Sequence, residues 1–432
     1  MDLVERHIAS RIRDQIGQEA PVIVLTGASQ TGKTTFCELQ LPKILGLDYT
    51  YVSFDDPDER LRFHKSAVSI LESIGRPLAV LDEVQKIPAV FEPLKYVLER
   101  QRRSGDPRTL FVLTGSSQLH TMPNLHATLA GCASLFNLYP FSFAEAAGIG
   151  GAPLLSKIWQ AGKVPPEAAR DLDLLPPAKI REVCRARDLH QAWGGYPPVW
   201  RIADDPGRMQ WLRDYRKAYL DRGVPDVGQV ADLDTFSRVQ KLLCARTSGI
   251  LSISELARET GLAVNTVKRY INLMVMTFQC FLLPSYYEDA GKRLVKSPKV
   301  FFPDAGLNRA ILGDVAIGAA PSYESWVFSE LLKWKQLQPA EPDLHFYRTS
   351  TGMEIDFLLT AGDRILPIET RSQERAFATD GRSLEAFLKS HRKSSPIGLI
   401  VYPGREIGEV RKNIWAVPDW YLFSGSRCEE QG

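Results

Sequence analysis

Residues Val22 to Phe36 read VIVLTGASQTGKTTF, a short apolar run that breaks into a glycine-bounded loop ending in Lys33-Thr34. Gly27, four intervening residues, then Gly32, Lys33 and Thr34 is the spacing of a P-loop. Backbone N–H groups wrap a phosphate only where little side chain intrudes, and the helix that follows points its positive dipole end at the same anion. The expected binding loop is Gly27, Ala28, Ser29, Gln30, Thr31, Gly32, Lys33, Thr34 and Thr35, with ATP as ligand. In this reading Lys33 lies between the β- and γ-phosphates, and the Thr34 hydroxyl completes the shell of a Mg²⁺ ion bridging them. Val22 to Thr26 reads as a fully buried parallel strand and Thr34 onward as a helix, the context a P-loop requires.

The chain of 432 residues exceeds one ordinary domain, and two or three are expected. Hydrophobic residues make up 44% and charged residues 24%, the balance of a soluble globular protein with a sizeable core. A net charge of +2 excludes a strongly basic nucleic-acid binder, so any such contact must come from local patches. Cys37, Cys132, Cys184, Cys244, Cys280 and Cys428 are scattered singly, without the close pairs of a zinc site or the density of a disulfide scaffold, which fits a reducing cytoplasm. MDLVERHIASRIRDQ carries charges throughout and has no apolar signal region, so no membrane association is expected. Leu3, Ile8 and Ile12 mark one face of an amphipathic helix expected to pack beside the first strand.

Beyond the loop, TYVSFDDPD reads as a second strand with its exit turn, and PLAVLDE (residues 77–83) as a strand that delivers two carboxylates at its C-terminal end. That is a Walker B pattern: Asp82 would hold Mg²⁺ through water and Glu83 would polarise the attacking water, with Lys33 the second catalytic group. TLFVLTG (residues 109–115) is a further buried strand. Its end, Thr114-Gly115-Ser116-Ser117, either senses the γ-phosphate through Thr114 and Ser116 or leaves the sheet through a Gly/Ser turn. SLFNLYP closes a five-stranded parallel sheet, as a doubly wound α/β nucleotide-binding domain requires.

VLTGASQTGKTT, YVSFDDPD, LAVLDEVQKIP, LFVLTGSSQ and LYPFSFAE, in this order and spacing, resemble a family of prokaryotic AAA-type ATPases that carry a C-terminal domain of poorly defined function. The resemblance continues through WGGYPPVW, YRKAYLDR, RLVKSPKVFFPDAGL and residues 347–371, and so covers nearly the whole chain. The family usually has an arginine after the Leu-Ala-Gly that precedes the last strand, whereas this chain reads Leu129-Ala130-Gly131-Cys132. Cysteine offers no cationic fork to a transition state, which leaves Arg100, Arg102 or Arg103 as substitutes.

The middle of the chain is less regular. Gly150 to Pro177 is rich in Ala, Gly and Pro and reads as a linker or irregular helical insert, and MQWLRDYRKAYLDR (residues 209–222) as a helix with a core-facing stripe of Trp211, Leu212, Tyr215 and Tyr219. Phe236 to Leu283 has the pattern of a winged helix-turn-helix, with helices at Phe236–Thr247, Ser254–Thr260 and Asn265–Met276, caps at Ser252 and Ser254, and a turn at Gly261. The third helix turns Val267, Tyr270, Ile271 and Met274 inward and leaves Lys268 and Arg269 to face a DNA backbone, or else the module serves packing or partner binding.

Tyr323 to Gln338 reads as a helix with Trp326, Leu331 and Trp334 on its buried side and Glu330 among them, followed by strands MEIDFLLTA and RILPIETRS joined at Gly362-Asp363. A helical Glu, an Asp in one strand and Glu-x-basic in the next is the pattern of restriction-endonuclease-like (PD-(D/E)XK-type) nucleases, and the C-terminal domain of the resembled family looks like this fold. The candidate site is Glu330, Asp356, Glu369 and Arg371, with Asp356 and Glu369 as Mg²⁺ ligands. Arg371 stands where such enzymes generally have lysine, and a guanidinium is never deprotonated in proteins. The site is therefore read either as an active nuclease or as an inactive fold retained for binding.

The expected fold class is α/β: a P-loop ATPase domain at 1–150, a linker or insert at 151–204, a helical winged-helix-like domain at 205–300 and a nuclease-like α/β domain at 301–432. The leading function is an ATP-binding and ATP-hydrolysing switch protein coupled to the winged-helix and nuclease-like parts and acting on double-stranded DNA. An ATP-licensed metal-dependent DNA nuclease of defence or mobile elements, and a nucleotide-locked partner-binding scaffold, are the alternatives. Neither the oligomeric state, with a homo-oligomer among the options, nor the pathway is legible.

Overall fold

Five consecutive apolar or β-prone residues, Val22–Thr26 (β1), are buried along their whole length because strands flank them on both sides. They pair in parallel with Phe111 to Gly115 of Leu110–Gly115 (β4) and with Ala133–Asn137 (β5). Tyr49–Ser53 (β2) and Leu78–Asp82 (β3) complete a five-stranded parallel sheet of order β2-β3-β4-β1-β5. All five strands therefore run the same way, and their C-terminal ends form one edge. The structure is a computed structural model that describes residues 3–16, 21–104, 109–116, 129, 131–224, 230, 232–287, 297–313 and 315–424.

The described chain falls into two compact units, one of Glu5–Pro140 with Met276–Phe278 and the other of Met1–Val4, Phe141–Val275 and Gln279–Gly432. In the first, Val22, Val24, Ala79, Leu81, Phe111 and Leu113 share one face of the sheet by the two-residue period of strands. They are buried with Phe63, Ile70 and Leu71 of Pro57–Glu72 and with Phe91, Leu94 and Val97 of Phe91–Ser104. The amphipathic helix at the N-terminus is Ile8–Ile16. Ile8 and Ile12 are buried as expected, whereas Leu3 precedes the helix and is exposed.

In the second unit the stretch read as a linker or irregular helical insert is helical, with Pro153–Ala161, Glu167–Asp173 and Pro177–Trp193. Its prolines suit helices because Pro153 and Pro177 open them, where a missing N–H and a fixed φ are harmless, and Gly162 (φ 64°) closes one. These helices are packed elements: Trp334 Nε1 donates to Ser156 Oγ at 3.0 Å, and Arg364 donates to the Trp159 carbonyl at 2.9 Å. Trp211, Leu212, Tyr215 and Tyr219 lie on Asp205–Ala218 and its continuation, with Tyr215 stacked on Trp211 and hydrogen-bonded to Tyr196. Arg222, at the end of that predicted helix, has a side chain outside the described residues.

Three helices follow, Leu233–Cys244, Ile253–Thr260 and Val264–Met276, then an antiparallel pair of Phe281–Leu283 (β6) with Lys299–Phe301 (β7). Ser252 caps the second helix, and Gly261 ends it at φ 71°. Ser254 lies inside that helix. The last part is a six-stranded sheet whose strands lie in the order Gly408–Arg411, Ile414–Pro418, Gly398–Tyr402, Arg364–Thr370, Glu354–Ala361, Asp343–Arg348. Asp343–Arg348 (β8), Glu354–Ala361 (β9) and Arg364–Thr370 (β10) are antiparallel neighbours, and β10 connects through helix Arg382–Ser390 to a parallel partner, Gly398–Tyr402 (β11). Ala319–Lys335 precedes these strands, and Gly408–Arg411 (β12) and Ile414–Pro418 (β13) extend the sheet. Among the described residues no helix is long and apolar enough to cross a membrane.

Candidate functional site

The loop after β1 is shaped by backbone constraints that only its residue types satisfy. A Cβ on Gly27 would meet the Leu138 carbonyl oxygen at 2.3 Å, and Gly32 has φ 91°, outside the range of L side chains. Gln30 accepts a left-handed φ of 65° at an exposed position. Thr31 is buried and donates to the Ala28 carbonyl at 2.9 Å, fixing the loop from inside, and Ser29 lies at its exposed crest. The helix that follows runs Lys33–Thr35, widens into a π turn over Phe36–Gln40 and continues through Leu41–Leu45.

Lys33 is 6% exposed, and its Nζ donates to the Gly27 and Ala28 carbonyls at 2.9 and 3.0 Å. Burial pushes its pKa down while the Glu83 and Asp82 carboxylates pull it back. An ammonium buried at a glycine-bounded loop, whose hydrogen-bond partners among the described residues are carbonyls, is a group set to take an anion. The Thr34 hydroxyl lies 3.0 Å from Asp82 Oδ2, so the two residues expected to hold Mg²⁺ already touch. The donor set therefore fits a nucleotide phosphate with Mg²⁺: Lys33 and the loop amides for the phosphates, Thr34 and Asp82 for the metal.

Asp82 ends β3 and is nearly surrounded by donors: Thr34 and the Tyr51 hydroxyl (2.5 Å) on one oxygen, Thr114 and the Glu83 amide (3.0 Å) on the other. Thr114 is the penultimate residue of β4, the strand between β1 and β3, which is how it reaches Asp82. Glu83 takes a left-handed backbone (φ 58°, ψ 43°), strained for a residue with a Cβ and directing its carboxylate out of the strand line. Its Oε2 accepts from Gln85 Nε2 and from Ser116 Oγ at 3.1 Å. Burial raises the pKa of Glu83, and the Lys33 charge opposes that rise. Ser117 lies outside the described residues.

Tyr51, Gln85 and Arg6 escaped the sequence reading. Tyr51 was legible only as a strand residue, although the register of β2 on β3, Ser53 opposite Asp82, brings it beside the carboxylate. Gln85 was visible as a polar residue two positions after Glu83. Arg6 donates to the Thr31 and Tyr139 carbonyls at 2.8 and 2.6 Å and carried no sequence signal.

Cys132 and the arginines at positions 100, 102 and 103 lie at the opposite end of the sheet from the P-loop. Cys132 accepts through its carbonyl from Val22 N at 3.2 Å, so it sits where β1 and β5 begin, about 16 Å of strand away from the phosphate edge. Its missing cation therefore says nothing about this chain's own P-loop. Arg100, Arg102 and Arg103 occupy the last turns of the helix that leads into β4, on the same distant edge, and Arg100 pairs with Glu72 at 2.6 Å.

In the second unit the predicted carboxylate site is partly rearranged. Asp356 and Glu369 are brought together across the β9–β10 ladder, one step beyond the Ile368–Phe357 pair. Glu330 is not with them: it accepts from the Phe143 amide at 3.1 Å and pairs with Lys333 at 2.9 Å. The helical carboxylate near Asp356 is Glu324, six residues earlier and about a third of a turn round the helix from Glu330. Burial first and Asp356 second raise Glu324 to a pKa of about 8 and hold Glu369 well above the carboxylate range.

As they stand, these groups do not fit a divalent metal. Asp356 Oδ2 accepts from the Thr370 amide and hydroxyl at 2.8 and 2.7 Å, Glu369 pairs with Arg371 at 3.3 Å, and Arg371 also pairs with Asp380 at 3.1 Å. Among the described residues no three His, Cys, Asp or Glu side chains are grouped to hold a metal ion. Lys268 and Arg269 are both exposed on the third helix, with Val267, Tyr270, Ile271 and Met274 buried behind them. Arg269 lies 5.7 Å from the Tyr270 ring.

Residues 19–147 match the family model described as an AAA domain, and residues 186–316 and 320–422 match two families described as domains of unknown function (DUF8612 and DUF4143). The match to an AAA domain thus falls on the N-terminal unit, where the P-loop spacing follows the first strand of a parallel sheet. Uncharacterized proteins of Mycobacterium bovis and Mycobacterium tuberculosis are each 24% identical over 98% of this chain and 86% of their own length. Similar solved structures include the replication initiator DnaA bound to AMPPCP and single-stranded DNA (15% identity, 61% of this chain and 85% of that one, TM-score 0.27). They also include the Aeropyrum pernix ORC1 protein in complex with DNA (15%, 72% and 93%, TM-score 0.28) and the Thermotoga maritima RuvB Holliday junction branch migration motor (15%, 63% and 86%, TM-score 0.29). At such TM-scores function has to be argued from the sites themselves.

Proposed function

We propose that this protein is an ATP-hydrolysing switch in which the nucleotide state of the P-loop unit controls the second unit. The observation that carries the reading is the convergence of Lys33, Thr34, Asp82, Glu83, Thr114 and Ser116 on the edge where the parallel strands end. Lys33 and the loop amides bind the β- and γ-phosphates of ATP. Thr34 and Asp82 hold Mg²⁺, which when bound neutralises charge on the phosphates. Glu83 accepts a proton from the attacking water, and the Gln85 and Ser116 bonds orient its carboxylate. Phosphate release measured with and without DNA, on wild type beside Lys33→Ala, tests the reading. Release from wild type that is lost in the variant supports it, and equal release from both would remove the P-loop from the mechanism.

A second reading is favoured by the order of three helices and a two-stranded hairpin, with Lys268 and Arg269 exposed on the third helix. This supports a winged-helix module whose third helix meets the phosphates of double-stranded DNA. The order helix, β8-β9-β10, helix, β11 supports the nuclease-like reading of the C-terminal sheet. With Asp356, Glu369 and Arg371 engaged as described, that sheet serves binding in this proposal, and cleavage is not assigned to it.

A further inference from the structure

The acidic face of β9 and β10 already contains a cation, and it comes from a distant part of the chain. Lys299 on β7 is 3% exposed, and its Nζ lies 2.8 Å from Glu324 Oε1 and 2.5 Å from Glu354 Oε1. Glu354 and Asp356 are two residues apart on β9 and so face the same side of the sheet. Asp356 is near enough for its charge to act on Lys299 as well. Arg348 reaches Glu354 only from the rim, at 3.6 Å, and Arg371 is committed to Glu369 and Asp380. Among the described residues, the buried positive charge facing Glu324, Glu354 and Asp356 is therefore Lys299.

We infer that Lys299 is the resident cation of this face, its ammonium supplying to Glu324, Glu354 and Asp356 the positive charge that a divalent metal would supply in a nuclease-like site. A second cation cannot enter without displacing an ammonium in direct contact with two of the three carboxylates, because like charges at such separations repel strongly in a desolvated site. The inference rests on the nuclease-like reading only in taking this face as the place where a metal would be sought.

The test is Mn²⁺ binding to nucleotide-free full-length protein, followed by loss of the free-ion paramagnetic resonance signal. Wild type is expected to show no saturable site at millimolar Mn²⁺, Lys299→Met to gain one at least tenfold tighter, and Lys299→Met/Asp356→Asn to lose it again. Thermal melting gives a second readout: Lys299→Met melts earlier and recovers with Mn²⁺, whereas wild type does not respond. A saturable site in wild type that Asp356→Asn abolishes would overturn the inference, as would a folded Lys299→Met that gains no site. Should Lys299→Met fail to fold, the wild-type and Asp356→Asn titrations still decide. Plasmid nicking by the same proteins reports on the nuclease-like reading separately: absence of cutting sinks that reading and leaves the Mn²⁺ result standing.

Discussion

Replacing Glu83 with Gln is the perturbation whose effect the site defines most closely. The Glu83 carboxylate accepts from Gln85 Nε2 and Ser116 Oγ through one oxygen, and an amide carbonyl can accept the same two bonds. The strained backbone at φ 58° is a property of the turn and is untouched. Fold and ATP affinity should therefore survive, while the proton acceptor is lost. General-base catalysis contributes about 10²- to 10⁴-fold, so the barrier should rise by about 3 to 5 kcal/mol. Because burial raises the Glu83 pKa more than Lys33 lowers it, the base is filled with a proton at higher pH than an ordinary carboxylate. The wild-type rate should then fall as pH drops through that raised pKa, and the variant should lack this acid limb. Single-turnover hydrolysis of radiolabelled ATP across a pH series, beside an equilibrium binding titration, reads both quantities. A variant that hydrolyses like wild type with the same acid limb would refute the role given to Glu83.

Gly27→Ala places a Cβ against the Leu138 carbonyl at 2.3 Å, so the loop must shift; we expect about 1 to 3 kcal/mol of lost stability and weaker ATP binding, and unchanged melting and affinity would contradict the packing argument. Asp419 is fully buried and bonded to Arg187 and Tyr323, yet burial outweighs Arg187 and lifts its pKa to about 6. A carboxyl raised from 3.8 adds stability below pH about 4 that is lost as pH rises towards 6, about 3 kcal/mol in all. Urea midpoints of Asp419→Asn should lack this drop, and an identical pH profile in wild type and variant would exclude it. Reversing Lys268 and Arg269 to Glu together should weaken duplex DNA binding and reduce the slope of log affinity against log salt by about 2, whereas equal slopes would return the helix to a packing role.

The P-loop unit was legible because its information is local. Gly27, Gly32, Lys33 and Thr34 lie within one loop, and Asp82 and Glu83 end a strand whose apolar run announces it. The third helix was legible for a similar reason: its period fixed the buried set Val267, Tyr270, Ile271 and Met274. What failed required knowing which parts of the chain meet. Glu324 and Glu330 are both helical carboxylates beside a tryptophan-rich stripe, and the packing of that helix decides which of them approaches Asp356. Lys299 is 57 residues before Asp356 and belongs to a different small sheet, so no spacing rule connects them. WGGYPP and FFPDAGL lie far apart in the sequence, yet they hold one another: Asp304 accepts from the Gly195 amide at 2.8 Å and caps its own helix through Leu307 N at 2.9 Å.

The central claim is that Lys33 and its loop bind the phosphates of ATP, and an equilibrium titration of wild type and Lys33→Ala with MgATP tests it most directly. The ammonium is the P-loop's own cation and lies at a loop whose shape is set by Gly27, Thr31 and Gly32, so its removal should leave the melting profile intact. The account predicts saturable binding by wild type and a loss of at least tenfold in the variant. Equal affinity in two folded proteins, or no binding by wild type at all, would contradict it.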